Sequence, residues 1–358
     1  MKINKRIIID IGHPAQVHNF KHVYWDLEKK GWEVLITAKN KEITKQLLDA
    51  YNLNYKIIGF PTTGIKNKLL NLPLTILKFL YITIRFNPKF ILCRFSPHAC
   101  WVGFLLRKTV IGIADTEHTS KLDNVVLPFI TVKLTSKSYQ KDLGKNHIRF
   151  DGIIEQFYLN ENRFKIKNTV LNKKSDERKL AIVRFVSWKA HHDVGECGFS
   201  FKEKVKLIDL LKKYNYDILI SAEGELEKEF ESYRLTIPVE DIHDYLAISS
   251  LYIGEGASMA SEAACLGIPT YYINSLNVGY IDEQADYKLV KSFRLANEFF
   301  NVFENDLSNN INWYNEQNFN TYRKKSIDVS AFVSWFIETY PESKKTMLNN
   351  PSYQDNFK

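Results

Sequence analysis

Little in this 358-residue chain points to life outside the cell. Only four cysteines are present, Cys93, Cys100, Cys197 and Cys265, and no two of them form a C-x-x-C pair. Spread through apolar or loop contexts, they read as reduced thiols and exclude a disulfide framework or a zinc ribbon. The start lacks a secretory core: Met1 to Arg6 is polar and the apolar run Ile7 to Ile11 is too short. A membrane-spanning run is missing too. The most apolar stretch, Leu69 to Cys93, is interrupted by Pro73, Lys78, Arg85, Pro88 and Lys89. There is no short-period repeat, and no nucleic-acid-binding motif accompanies the basic residues, which makes nucleic acid the weakest partner class. These absences predict a cytoplasmic globular protein.

What is present fits two domains. Hydrophobic residues make up 45% and charged residues 25%, ordinary values for packed domains of roughly 150 residues each. Charge is divided unevenly. Residues 1–165 hold 26 Lys and Arg against 13 Asp and Glu, a net of +13, while the remainder holds 23 against 28, a net of −5. A basic first half suits an anionic partner such as a lipid phosphate or a membrane surface; the alternative is a solvated basic face.

The first half alternates strands and helices. Strands are expected at Arg6–Ile11, Glu33–Thr37, Tyr55–Gly59, Phe90–Phe95, Val110–Ala114, Ile130–Thr135 and Ile148–Asp151, with helices at Val17–Lys30 and Glu42–Tyr51. A polar stretch, Phe157–Lys179, reads as a linker and hinge. The alternation then resumes, with strands at Leu180–Val186, Tyr216–Ser221, Leu251–Gly254 and Thr270–Ile273 and helices at Lys202–Tyr214, Ile242–Ile248 and Ser258–Leu266. Trp313–Tyr340 looks helical and Asn349–Lys358 reads as a loose tail. The expected architecture is α/β, with two Rossmann-like domains at 1–165 and 178–325 whose parallel sheets face each other across a cleft, and a C-terminal helix and tail at 326–358. In such sheets ligands bind beyond the carboxyl ends of the strands, so the loops there are the places to look for chemistry.

The first of these loops is Asp10-Ile11-Gly12-His13-Pro14-Ala15-Gln16-Val17-His18. Gly12 permits a sharp turn, and a neutral imidazole at His13 or His18 can take a proton from a hydroxyl. The alternative is one capping histidine and one surface histidine. The segment Gly254-Glu255-Gly256-Ala257-Ser258-Met259-Ala260-Ser261-Glu262 ends a strand in a glycine-rich turn and opens a helix, where free N–H groups bind phosphate. Glu262, about one turn in, can accept from ribose hydroxyls; close packing by small residues is the plainer reading.

Three further loops follow strands. Arg184-Phe185-Val186-Ser187-Trp188-Lys189-Ala190-His191-His192-Asp193 offers Arg184 and Lys189 to a diphosphate. Its adjacent histidines point different ways and have no partner ligands at helical spacing, so no metal site is expected. Asp115-Thr116-Glu117 supplies carboxylates for acid–base work or for orienting a sugar, or else a helix cap. Arg94-Phe95-Ser96-Pro97-His98 is a weaker site. Glu223, in Ser221-Ala222-Glu223-Gly224, borders a nucleotide base or only a tight connection.

GHPAQVH, RFVSWKAHHDVG and GEGASMASEAACLGIP together resemble the DUF354 family over nearly the whole chain. More distantly the chain resembles the GT-B superfamily, including MurG-type glycosyltransferases and UDP-GlcNAc 2-epimerases. In MurG-type enzymes a Gly-Ala-x-x-x-Ser-Glu segment grips the nucleotide. The resemblance carries that role to Gly254, Gly256, Ala257, Ser258, Met259 and Glu262, with Gly12, Arg184, Ser187, Lys189 and Glu223 around the same ligand. It implies His18 as first choice of base and His13 as second. The resemblance offers Asp115 and Glu117 for one of the epimerases' acidic positions, but Arg94-Phe95-Ser96-Pro97 stands where those enzymes carry an Asp, and their Thr-Arg-Pro-Glu pattern is absent. The implied activity is a metal-independent GT-B glycosyltransferase of polysaccharide biosynthesis, moving a sugar from a UDP-linked donor to a saccharide or lipid-linked acceptor, with no cofactor beyond the nucleotide sugar and no nucleic acid. A nucleotide-sugar 2-epimerase and a non-catalytic nucleotide-sugar-binding protein are the alternatives. The segment Leu69–Phe86 either rests on the inner membrane face carrying a lipid-linked acceptor or is a buried core helix.

Overall fold

The structure, a computed structural model of the chain, describes residues 4–61, 65–115, 125–172, 178–186, 198–222, 224–276 and 278–358. The isoleucines of β1 (Arg6–Ile11) favour a pleated backbone. Parallel neighbours on both edges, β2 (Glu33–Lys39) and β4 (Phe90–Cys93), place β1 at the centre of a sheet, and Ile7, Ile8 and Ile9 are wholly buried. Helix α1 (Ala15–Lys29) starts after Pro14, whose ring pre-sets a helical φ, and the chain turns at Gly31 with φ 77°. The chain continues through α2 (Glu42–Ala50), β3 (Tyr55–Gly59), α3 (Ile65–Phe86), α4 (Pro97–Leu105), β5 (Thr109–Ala114), β6 (Val132–Ser136), β7 (His147–Phe150) and a short α5 (Gln156–Leu159).

These strands form a parallel sheet in the order β3-β2-β1-β4-β5-β6-β7. The chain leaves β1 in one direction through β2 and β3, then returns to β1's other side at β4. In doubly wound sheets such a reversal, here beyond the carboxyl ends of β1 and β4, is where ligands bind.

The second sheet repeats the plan. Its elements are a short α6 (Asn168–Leu171), β8 (Lys179–Phe185), α7 (Phe201–Lys213), β9 (Tyr216–Ala222), α8 (Ile242–Ile248), β10 (Leu251–Gly254), α9 (Ala257–Cys265), β11 (Thr270–Ile273), α10 (Gly279–Asp286), β12 (Val290–Phe293), α11 (Ala296–Ser308) and α12 (Glu316–Lys325). The order β12-β11-β10-β8-β9, all parallel, reverses between β8 and β10. The aromatic core here is built on Tyr271, Phe299, Phe303 and Trp313.

The chain divides into one unit of Met1–Arg163 with Lys325–Lys358 and another of Phe164–Lys324. The last stretch, α13 (Val329–Glu338) and α14 (Glu342–Asn349), packs on the first sheet's own helices. Val329, Phe332, Val333, Phe336 and Ile337 are fully buried, and α13 lies against α1 and α5. Arg163 holds the junction: both its Nη atoms donate to Asp26 of α1 (2.9 and 2.8 Å) and its Nε donates to Asp328 (2.6 Å). Asp328 in turn caps α13 by accepting from the Ala331 amide.

Three expectations need correction. The end of the chain is not a loose tail. Pro351–Phe357 is a 3₁₀ helix, the buried Gln354 accepts from the Asp151 amide (2.7 Å), and Tyr353 stacks on Trp335 at 4.9 Å. The linker begins later than Phe157: Phe157 packs edge-on against Phe20 and Phe150, and Tyr158 and Leu159 are buried beside it. Trp313–Tyr340 is broken rather than continuous, because Asp328 opens a new helix after α12 ends. The elements β12, α4, α10, α11 and α14 have no counterpart in the sequence reading.

Candidate functional site

At the β1–β4 reversal the central residue is Asp10, 1% exposed. Its carboxylate accepts from Thr37 Oγ1 of β2 (2.8 Å), from Ser96 Oγ after β4, and from His98 Nε2 of α4 (3.0 Å). Burial pushes this carboxyl up; the charge of His98 and the hydrogen bonds from His98, Ser96 and Thr37 outweigh it and hold the group below the ordinary carboxylate range. The turn that delivers Ser96 passes through Phe95, which is left-handed at φ 50°. Its ring is tucked against Gly112 of β5, where an added Cβ would lie 2.7 Å from Phe95 Cε1. Glycine at 112 therefore makes room for Phe95, and Phe95 turns Arg94 and Ser96 toward the strand ends.

Arg94 pairs with Asp115 at the end of β5 and reaches Asn19 of α1 at 3.5 Å. Asp115, expected as an acid–base carboxylate, is thus engaged by a guanidinium. Gly12 and His13 are exposed in the first loop. The Gly12 amide donates to Gln16 Oε1 (2.7 Å), which closes the loop. His13 Nδ1 accepts from the Ala15 amide at 3.3 Å, so the neutral ring carries its proton on Nε2.

His18 stands elsewhere. It is 6% exposed on the covered side of α1, its Nδ1 3.2 Å from the Tyr51 hydroxyl and its ring beside Tyr158 at 5.6 Å. Of the two candidate bases, His18 is therefore buried and His13 exposed.

At the β8–β10 reversal, Gly256 is the N-cap of α9; among the described residues no side chain caps that helix, and no acidic residue lies in its first turn. Its first amides, at the positive end of a helix dipole, have no side-chain acceptor among the described residues. Ala257, Ser258 and Met259 form that turn, with Ser258 exposed. Gly254 is dictated by packing: a Cβ there would lie 2.3 Å from Tyr252 Oη and 2.8 Å from Arg184 Cβ. The Tyr252 hydroxyl is buried beneath this turn and makes no hydrogen bond among the described residues. Arg184, half-buried at the end of β8, donates from Nη1 to Ser221 Oγ of β9 (2.6 Å). Glu262 is buried and its Oε1 lies 3.1 Å from His243 Nε2 of α8.

Sequence reasoning assigned no role to Glu255, and the structure gives it one. It is 1% exposed; Oε2 accepts from the Val186 amide (2.8 Å), Oε1 from the Phe199 amide (2.6 Å), and its carbonyl from Asn274 Nδ2 (2.8 Å). A charged residue held between two glycines at a strand end was the available signal. His243 had no signal, since only the packing of α8 on α9 brings it to Glu262. Of the expected site residues, Glu117, Ser187, Lys189 and Glu223 lie outside the described residues, as do His191, His192 and Asp193.

Two parallel sheets, each with its strand order reversing at a loop-rich carboxyl edge, define an α/β protein of the GT-B class. Solved GT-B structures match it over their full length. A UDP-GlcNAc 2-epimerase from Neisseria meningitidis, bound to UDP-GlcNAc, has a TM-score of 0.68 at 14% identity, covering 96% of this chain and 100% of that one. The Streptomyces sp. SF2575 glycosyltransferase SsfS6 has a TM-score of 0.58 at 10% identity, covering 94% and 100%. The spinosyn rhamnosyltransferase SpnG has a TM-score of 0.61 at 14% identity, also covering 94% and 100%. The chain belongs to the family described as "Protein of unknown function (DUF354)", which matches residues 5–309. An uncharacterized protein of Methanocaldococcus jannaschii is 27% identical over 285 residues, 75% of this chain and 81% of that one.

Proposed function

We propose that the protein is a glycosyltransferase that moves a sugar from a UDP-linked donor to a saccharide or lipid-linked acceptor of the cell envelope. The observation that carries the reading is the uncapped start of α9 at the β8–β10 reversal, set over a buried tyrosine hydroxyl and followed by Glu262. In this reading the donor's diphosphate sits on the first-turn amides of Ala257, Ser258 and Met259, and Glu262 accepts from the ribose hydroxyls. Arg184 and Lys189 add positive charge.

The acceptor hydroxyl attacks the anomeric carbon as the bond to the diphosphate oxygen breaks. The departing nucleoside diphosphate keeps the electron pair, and the amides and cations offset its charge, so the step calls for no metal. The hydroxyl proton passes to His13. That transfer requires the 3.3 Å bond from Ala15 to be released, because the neutral ring otherwise holds its proton on the outward Nε2. The basic first half suits an anionic acceptor.

Epimerase chemistry has less support, because Asp115 is engaged by Arg94 where proton transfer at the sugar needs a disengaged carboxylate. The test is a panel of UDP-, GDP-, dTDP- and CMP-sugars read by calorimetry and product NMR. Binding of one donor, with slow hydrolysis or transfer, supports the transferase. A stereoisomer carrying solvent deuterium replaces it with the epimerase, and saturable binding without chemistry replaces it with a binding protein. No binding across the panel overturns the nucleotide-sugar assignment.

A further inference from the structure

Helix α3 is apolar on two sides. One side is the expected one: Thr75, Phe79, Ile82 and Thr83 are buried at helical spacing in the first unit's core. The outward side should then be polar. Instead it carries Leu70, Leu74, Leu77, Tyr81 and Ile84, which are 77%, 52%, 62%, 60% and 59% exposed. Their spacing alternates four and three residues, so they form one continuous stripe about 21 Å long at 1.5 Å per residue. Phe60, 62% exposed, extends it beside Lys78, whose ammonium lies 5.9 Å from the Phe60 ring. Exposed apolar residues scattered singly need no explanation, but a contiguous row along one helix does.

The charges on α3 itself have one sign. Lys78 and Arg85 each follow a stripe residue along one border, and the Arg85 guanidinium lies 5.3 Å from the Tyr81 ring. Lys56 and Lys78 stand at a shallow groove whose apolar walls include Leu77 and Tyr81. The α3 sequence holds four cations and no carboxylate. No helix among the described residues is long and apolar enough to cross a membrane.

From this geometry we infer that α3 is a membrane-docking surface, lying in the plane of an anionic phospholipid bilayer with its Leu/Tyr/Ile stripe at the level of the acyl boundary and Lys78 and Arg85 against the headgroup phosphates. An apolar face with a cationic rim on a non-spanning helix is the pattern that binds such an interface. A second copy of the chain fits worse, because pairing two such stripes brings cations against cations with no carboxylate on α3 to answer them. The inference stands apart from the transferase reading, since docking needs no sugar and no turnover.

The test is co-sedimentation of the full chain with vesicles of phosphatidylglycerol mixed with phosphatidylcholine, and with vesicles of phosphatidylcholine alone. The protein pellets with the anionic vesicles, and less so at high salt. Leu74→Ser/Leu77→Ser/Tyr81→Ser, all at exposed positions, loses at least about ten-fold in vesicle affinity, a loss argued from the apolar area withdrawn from the bilayer. Lys78→Glu/Arg85→Glu loses at least about five-fold for each cation removed. Phe201→Ser, exposed in the other unit, leaves binding unchanged. The inference is overturned if the chain stays in the supernatant with both vesicles, or if both stripe variants pellet like the parent. It is equally overturned if light scattering shows a dimer that the triple variant turns into a monomer while vesicles bind neither. Donor turnover is measured separately, so either proposal can fail while the other stands.

Discussion

Replacing Asp10 tests the centre of the first unit. The substitution Asp10→Ala removes the acceptor of three donors at once, Thr37 Oγ1, Ser96 Oγ and His98 Nε2, at a position 1% exposed. Both hydroxyls can turn toward other acceptors, so their losses do not add in full. His98 Nε2 loses its buried acceptor as well, and a buried polar group left unsatisfied costs about 1–3 kcal/mol. Against a total stability of about 5–15 kcal/mol that is a large share. With a urea slope of about 1–3 kcal/mol/M, the unfolding midpoint of this unit falls by at least about 0.3 M. Asp10→Asn keeps one acceptor oxygen and the volume, and falls less. The pH dependence has a definite sign. The Asp10 carboxyl is held below its ordinary value in the fold, so its contribution is fully present above the unfolded carboxylate pKa and is lost as pH falls through the lower folded value. The gap between parent and Asp10→Asn is therefore constant from neutral pH down to about pH 5 and closes only below about pH 4. Urea titrations of both proteins at several pH values read this directly. A midpoint shift equivalent to under about 1 kcal/mol for Asp10→Ala, or no closing of the gap at acid pH, refutes the assignment of Asp10 as a buried ionised hub.

Three other expectations follow from named contacts. Gly254→Ala places a methyl group 2.3 Å from Tyr252 Oη and 2.8 Å from Arg184 Cβ, and costs about 1–3 kcal/mol on thermal unfolding; an unchanged melting temperature removes the packing account of that glycine. His18→Ala lowers stability by about 1–3 kcal/mol, whereas His13→Ala stays within about 0.5 kcal/mol and lowers turnover instead; equal melting shifts for the two contradict the burial contrast. Removing residues 350–358 strips Tyr353 from Trp335 and Gln354 from the Asp151 amide, and destabilises the first unit by more than about 2 kcal/mol; a deletion that melts like the full chain would mean the segment is dispensable after all.

The alternation of β-branched runs with amphipathic stretches was legible from the residues alone. Arg6–Ile11, Tyr55–Gly59, Leu251–Gly254 and Thr270–Ile273 stand at the bounds that local pattern assigns them, because strand and helix periods are written in neighbouring side chains. The glycine-rich turn into α9 was legible for the same reason. Partners drawn from far along the chain were not. His18 and His13 look equally available in the first loop, and only Tyr51 and Tyr158 packing over α1 decide which one is covered. Asp10 sits in a hydrophobic strand with no hint that Thr37, Ser96 and His98 converge on it, since those donors arrive from three other elements. The chain's last residues look polar and loose until Asp151 and Trp335 supply their partners. In α3 the sequence shows apolar residues nearly all round, which suits a buried helix or an interfacial one equally well. Local periodicity says that a face is apolar, whereas the tertiary structure alone decides what covers it, and for the stripe of Leu70, Leu74, Leu77, Tyr81 and Ile84 nothing among the described residues does.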